Sequence, residues 1–241
     1  RLAQDAATGL LTPEWTRPVD FASVQGADVL CGASVSPWGT HLAGEEYDAN
    51  ARLTGFEATG DDSAETHARL SAYSGPRSPY LTGWIHEVAL TSAAGATDVH
   101  KRFALGRFSH EIARVMPDRR TVYLSDDTSA GGFFLFLADR PDDLSAGTLY
   151  GARWEQRGPG VGAISWISLG HADEAMVQAA LTAGVQFDDL FQAADPDCPA
   201  ALQSVRTNLG HECLALHADK GPLASRLETR RFAALQGVTT E

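Results

Sequence analysis

Between positions 84 and 169 the chain is a series of short strand-like segments with no helical period of apolar residues between them. Gly, Pro, Asp or Ser separates the segments, a pattern typical of strands joined by turns. They cover residues 84–90, 121–125, 132–138, 147–154 and 163–169. The 132–138 segment is continuously apolar, which predicts burial on both faces. Successive strands without helices between them predict an all-β sandwich, barrel or propeller.

The pattern changes after residue 170. Acidic residues open a helical segment that begins near His171 and stops before Gly184, and residues 188–194 and 222–235 also have helical character. We interpret 171–235 as a helical insertion or crossover within a single domain that spans 1–241. Strand–turn–glycine units recur only weakly along the chain, as they often do in propeller blades.

Composition excludes several classes of protein. The chain has 44% apolar and 21% charged residues, the balance of a folded protein with a core. Its 19 basic and 31 acidic residues give a net charge of −12, and because no basic run is present we expect no nucleic-acid partner. The longest apolar run, 133–138, is far shorter than the ~18 residues of a membrane span, so we expect no such span. With neither an initiator Met nor a signal segment, the chain is interpreted as a mature fragment or an excised domain.

Three cysteines are too few for a disulfide framework. Cys198 and Cys213 could close a small loop in an oxidising compartment, or remain buried thiols in a reducing one. Cys31 is then left over. It lies in a short apolar strand that runs into small residues, where a lone cysteine is more often core than ligand.

Acidic residues gather in three segments, each at a junction of strand and loop. The segments are 36–46, which follows Cys31, then 106–111, and 124–127. Carboxylates that converge from such loops could hold hard cations, which prefer oxygen ligands. A thiolate beside them would instead favour a transition metal. The three segments are therefore candidates for one metal site.

Each acidic segment also has a purely structural interpretation. These are a solvated loop at Glu45-Glu46, a turn cap at Asp126-Asp127 and a surface pair at His110-Glu111. Short motifs do not decide between the two interpretations, because no C-x-x-C or H-E-x-x-H zinc pattern is present. The absence of a G-x-S-x-G elbow and of a phosphate loop excludes the commonest serine hydrolases and P-loop proteins.

At these same segments the sequence resembles the PhoX-type bacterial alkaline phosphatases. The resemblance is carried by Cys31 with 36–40 and 45–46, and by 83–88, 106–111, 123–127 and 147–150. It implies a six-bladed β-propeller of which this chain is an incomplete part, with 171–235 similar to an insertion found in a subset of relatives. It further implies export to the periplasm or secretion, with the signal sequence outside this chain, and a cluster of ferric iron (Fe3+) and calcium (Ca2+) at one end of the central channel.

Carried over by motif, the resemblance implies one cysteine and three carboxylates as metal ligands: Cys31, Glu46, Glu111 and Asp127. Cys31 and Glu111 would also be the catalytic positions. Glu45 and Asp126 are alternatives one residue away. His110 would orient Glu111, Arg107 is a candidate contact to substrate, and Arg153 is a second such candidate.

The implied activity is hydrolysis of small phosphate monoesters by a metal-bound oxo or hydroxide nucleophile. An alternative is a non-catalytic calcium-binding propeller that serves as a binding or structural module, and a third is an all-β binding module without metal. In relatives a further acidic ligand follows a Gly-x-Thr segment. Here the matching residues are 237–239, so that ligand would fall beyond Glu241 and the chain would hold part of the site. The substrate and the oligomeric state stay open.

Overall fold

The computed structural model describes residues 1–52, 78–194 and 198–239, and antiparallel sheets dominate these ranges. The first element is a hairpin of β1 (Leu2–Gln4) and β2 (Leu11–Pro13). A four-stranded meander follows, in which each strand pairs with the next. Its strands are β3 (Leu30–Val35), β4 (His41–Glu45), β5 (Ile85–Leu90) and β6 (Thr97–Lys101).

A second meander has five strands in chain order across the sheet. They are β7 (His110–Val115), β8 (Thr121–Asp126), β9 (Phe133–Arg140), β10 (Asp143–Gly158) and β11 (Val161–Asp173). The five strand segments expected from the sequence are thus confirmed as β5, β8, β9, β10 and β11. Burial of 132–138 on both faces is wrong. Phe134 and Phe136 are buried while Phe133 is 39% exposed, because one face of this antiparallel sheet packs on the core and the other does not.

The segment after β11 contains helices at both ends and a small sheet between them. Helix α1 (Glu174–Thr182) begins where the Asp173 side chain accepts the Met176 N–H (2.8 Å). A three-stranded sheet follows, and then two short helices. These elements are β12 (Phe191–Ala194), β13 (Gln203–Thr207), β14 (Gly210–Leu216), α2 (Gly221–Leu227) and α3 (Thr229–Leu235).

The helices expected near the two ends of 171–235 are therefore confirmed, but the helix expected over 188–194 is wrong, and whether the segment is an insertion stays a prediction. A 3-10 turn ends at Asp189, and β12 then pairs with β14, placing the buried Phe191 opposite Leu216. A short apolar segment does not distinguish strand from helix by period alone. Cys198 forms a disulfide with Cys213 of β14, so these two cysteines close a loop and are not free thiols.

The two meanders lie side by side through their first strands. Ser34 of β3 is buried and its Oγ donates to the Ala113 carbonyl of β7 (2.5 Å). Large apolar side chains from both sheets and from the segments that lead into them form one core cluster, which includes Trp84, Phe108 and Phe136. Adjacent four- to five-stranded meanders in contact through their first strands are typical of neighbouring blades of a β-propeller. No helix in the described ranges combines the length and apolarity needed to cross a bilayer.

Candidate metal centre

Cys31 and Glu111 lie at β-bulges near the starts of β3 and β7, the first strands of the two meanders. The β3–β4 register shifts between Leu30 and Ala33, so that Cys31 and Gly32 together oppose one residue of β4. The β7–β8 register shifts between His110 and Ile112, which makes Glu111 the extra residue. Bulges redirect side chains out of the regular alternation of a strand, and they are common next to functional sites. Here they lie on the two strands where the two sheets meet.

Glu46 comes directly after β4, where its N–H donates to the Val29 carbonyl (3.1 Å). One ligand atom each from Cys31, Glu46 and Glu111 lies within 4.8 Å of the other two. The Cys31 thiol donates to Glu111 Oε2 at 3.5 Å. The structure therefore brings together three of the residues that the sequence nominated, from positions 80 residues apart.

The electrostatics of this cluster suit a cation. Among the described residues no Lys or Arg forms a salt bridge with Glu46 or Glu111. Desolvation, and then the hydrogen bonds and negative charges of these two carboxylates, raise the pKa of the Cys31 thiol. The two carboxylates and the thiol are not neutralised by a Lys or Arg among the described residues. They offer a metal one soft sulfur atom and several hard oxygen atoms. The residues present therefore fit a bound metal cation.

Glu45, the first of the one-residue alternatives, lies inside the protein. Its carboxylate is fully buried. It has four partners, namely the N–H groups of Asp28 (2.9 Å) and Trp84 (3.0 Å), His86 Nε2 (3.1 Å) and Lys101 Nζ (3.7 Å). Burial alone would raise the pKa of Glu45, but Lys101 and His86 lower it to about 2. Glu45 thus stabilises the loop that presents Glu46, and the two side chains point in different directions.

Asp126, the other alternative, is also paired within the protein. Its side chain is buried, accepts Arg230 Nε at 2.8 Å and caps the Gly132 N–H at 3.2 Å. Asp127 is exposed, and its N–H donates to the Ser109 carbonyl (2.9 Å), two residues before Glu111. Asp127 is not in the three-residue cluster, and its role as a ligand stays a prediction.

Arg230 of α3 is a residue that sequence reasoning missed. It donates to Asp126, to Asp48 (2.7 Å) and to Ser109 Oγ (2.8 Å). Asp48 and Arg230 are 182 residues apart, so no local spacing could have revealed their pairing. The guanidinium joins the loop after β4, the residue before β7 and the last residue of β8, and so connects segments next to Glu46 and Glu111.

The remaining predicted positions contact backbone carbonyls. His110 is fully buried, with Nε2 2.9 Å from the Gly106 carbonyl, and desolvation lowers its pKa to about 4. The buried Arg107 donates to the carbonyls of Ala49, Pro79 (2.9 Å), Thr82 (2.7 Å) and Leu227 (3.4 Å). Arg153 donates to the Gly237 carbonyl at 3.0 Å. An orienting role for His110 and a substrate contact for either arginine stay predictions.

The paired meanders define a β-propeller-type protein. One cysteine and two glutamates, residue types that commonly bind metals, lie together near the starts of β3 and β7 and after the end of β4. More particularly, the family model for alkaline phosphatase PhoX matches residues 6–203, and the chain belongs to this family. This confirms the resemblance seen in the sequence.

The chain is also similar to a solved structure, Pseudomonas fluorescens PhoX in complex with vanadate, a transition state analogue. The two are 22% identical with a TM-score of 0.54, and the match covers 89% of this chain and 36% of that one. This likeness confirms the propeller-type all-β fold, and the chain spans little more than a third of that protein's length. No match is found among the curated proteins.

Proposed function

We propose that the protein is a metal-dependent phosphatase that hydrolyses small phosphate monoesters, and that this chain supplies part of the metal centre. The observation that carries the proposal is the convergence of Cys31, Glu46 and Glu111 within 4.8 Å in a member of the PhoX family. The solved relative binds vanadate, described there as a transition state analogue, and this supports transfer of a phosphoryl group.

Each residue of the cluster has a proposed task. Cys31, as a thiolate, would bind iron, because sulfur ligands favour transition metals. Glu46 and Glu111 would bind iron and calcium through carboxylate oxygens. We retain Asp127 as a further ligand because its backbone is hydrogen bonded to Ser109, just before β7 and two residues before Glu111. When bound, the cations would withdraw charge from the phosphoryl oxygens and lower the pKa of water.

The protein's own contribution is to hold the ligands in place before metal arrives. Glu45 fixes the loop on one side of Glu46 through two backbone N–H groups. Arg230 joins the segments on either side of Glu111 through Ser109 and Asp126. Both anchors are buried, so the ligand loops lie on a rigid support.

A periplasmic or secreted location belongs to the same proposal. The Cys198–Cys213 disulfide favours an oxidising compartment, because cytosolic thiols are kept reduced.

The test is metal analysis of the full-length protein combined with hydrolysis of an aryl phosphate. We expect iron and calcium to be present, and both metals and activity to be lost in Cys31→Ser and Glu111→Gln. Glu155→Gln is the matched control, since Glu155 is exposed and pairs only with the exposed Arg157 in the described structure.

Calcium without iron, retained by Cys31→Ser and without hydrolysis, would instead indicate a non-catalytic calcium-binding propeller. Absence of any metal, together with a thermal midpoint that a chelator does not change, would leave an all-β binding module and contradict the proposal.

A further inference from the structure

The spacing between Cys31 and Glu111 is not set by a hydrogen-bonded ladder. Strand β3 is the edge of the four-stranded sheet and β7 is the edge of the five-stranded sheet, so the two strands are not paired to each other. The only described hydrogen bond from a β3 side chain to the β7 backbone is that from Ser34 Oγ to Ala113. Van der Waals contact between the two backbones therefore limits how closely these two strands approach each other.

Gly32 lies at the closest point of this contact. A Cβ at Gly32 would overlap the carbonyl oxygen of Glu111 and lie 3.3 Å from Ile112 Cβ. Its backbone does not have a positive φ, so an alanine would be strained by contact and not by conformation. The missing side chain is what allows the Glu111 backbone to touch β3 directly beside Cys31.

Gly44, on the neighbouring strand β4, makes an equivalent contact with the start of β7. A Cβ there would lie 2.5 Å from the His110 carbonyl oxygen and 2.7 Å from His110 Cβ, and its φ is again not positive. Gly44 precedes Glu45 and Glu46 on the chain. Each of the two glycines therefore lies next to a segment that carries a ligand and faces the bulged start of β7.

We infer that Gly32 and Gly44 are positioning residues of the metal centre, and that their lack of a side chain sets the distance between the ligand atoms of Cys31, Glu46 and Glu111. The inference rests on the proposed function. An added methyl group at Gly32 would push the Glu111 backbone away from β3, because a carbonyl cannot yield as a flexible side chain can. Metal–ligand bonds tolerate only a few tenths of an ångström, so a displaced Glu111 would bind metal poorly.

The experiment compares Gly32→Ala and Gly44→Ala with the wild type in the metal-free, full-length protein. Gly158→Ala is the matched control, since Gly158 also lies in a strand without a positive φ but has open space where a Cβ would be. Co2+ is the probe, because a Co2+–thiolate bond gives a charge-transfer absorption that reports Cys31 directly. The thermal midpoint without metal is measured beside the Co2+ titration.

We expect Gly32→Ala to fold without metal and to bind Co2+ about 10- to 100-fold more weakly, the range typical of residues that orient ligands. Its charge-transfer absorption at saturation should fall, while Gly158→Ala should match the wild type in both readouts. If Gly32→Ala alone fails to fold, Gly44→Ala is judged by the same two readouts.

Two outcomes would overturn the inference. One is wild-type Co2+ affinity and absorption in a folded glycine variant. The other is loss of folding by both variants without metal, because the glycines would then be required by the fold and not by the ligand spacing. If the wild type itself shows no thiolate absorption with Co2+, the proposed function fails instead, so the two failures are distinguishable.

Discussion

Arg230 provides the most quantitative test of how the centre is supported. Its guanidinium is buried and binds Asp48 at 2.7 Å and Asp126 at 2.8 Å, with side-chain exposures of 8%, 11% and 0%. Arg230→Met keeps the length and apolar stem of the side chain but leaves the buried Asp126 without its cation and Asp48 with only Arg107, 3.9 Å away. Removal of one partner of a buried ion pair typically costs about 3–5 kcal/mol, and we expect a loss of that size in the free energy of unfolding at pH 7.

The pH dependence of this loss has a definite sign. Burial alone would raise the pKa of Asp48, but Arg230 and Arg107 hold it well below its ordinary range. In the wild type this contribution is present above the unfolded pKa of about 4 and is lost as the pH falls below it. Burial already raises the pKa of Asp126, and Arg230 only partly offsets this. Without Arg230 the pKa of Asp126 would rise further above its unfolded value, so the loss caused by Arg230→Met should become smaller as the pH falls from 7 toward 4.

Urea unfolding at pH 7 and pH 5 measures both effects. Arg119→Met is the control, because its pair with Asp142 is 43% and 38% exposed and should contribute little to stability. Adding Asp48→Asn and Asp126→Asn to Arg230→Met should recover part of the loss. The reasoning is refuted if Arg230→Met costs no more than the control, or if its loss is the same at both pH values and the asparagines recover nothing.

Three further results are expected. Reduction of the Cys198–Cys213 disulfide, whose cysteines are 15 positions apart, should lower the free energy of unfolding by about 3 kcal/mol; an unchanged urea midpoint with reductant would contradict this. Glu45→Gln should lower the thermal midpoint at pH 7 and much less at pH 3. The folded pKa of Glu45, about 2, lies below the unfolded value of about 4.3, so the stability that the carboxylate contributes is lost as the pH falls between these values. An equal difference at both pH values would argue against this. Phe136→Ala should lower the free energy of unfolding in urea by about 3–5 kcal/mol, because Phe136 is buried. Phe133→Ala on the same strand should lower it markedly less, since Phe133 is 39% exposed, and similar losses would show that the burial assignment is wrong.

Local pattern was sufficient for several strands of the two meanders, but not for β1, β2, β4, β6, β7 or the small sheet β12–β14. The segments that became β5, β8 and β9 have turn residues at both ends and β-type composition between them, and these signals act over a few residues. The signal failed at 188–194, where the choice between strand and helix depends on pairing with β14 more than fifteen residues downstream. It failed again for the faces of β9, because exposure depends on what lies against each side of a sheet.

The candidate site was only partly accessible from sequence. Residue types and motif order nominated Cys31, Glu46 and Glu111, which the fold brings within 4.8 Å of one another. They did not distinguish Glu46 from Glu45. That difference arises from the direction in which each side chain leaves the end of β4, since successive residues of a strand point to opposite sides.

Chain composition, strand spacing and motif order by themselves determined the class of fold, the family and the set of candidate ligands. Tertiary structure decided which acids are buried and paired and which face the cluster, because the groups that neutralise Glu45 and Asp126 come from distant segments: Lys101 from β6 and Arg230 from α3. It also decided that Gly32 must lack a side chain, since only the packing of two separate sheets brings the Glu111 carbonyl against it. Contacts of this kind depend on distances between strands that no local spacing encodes.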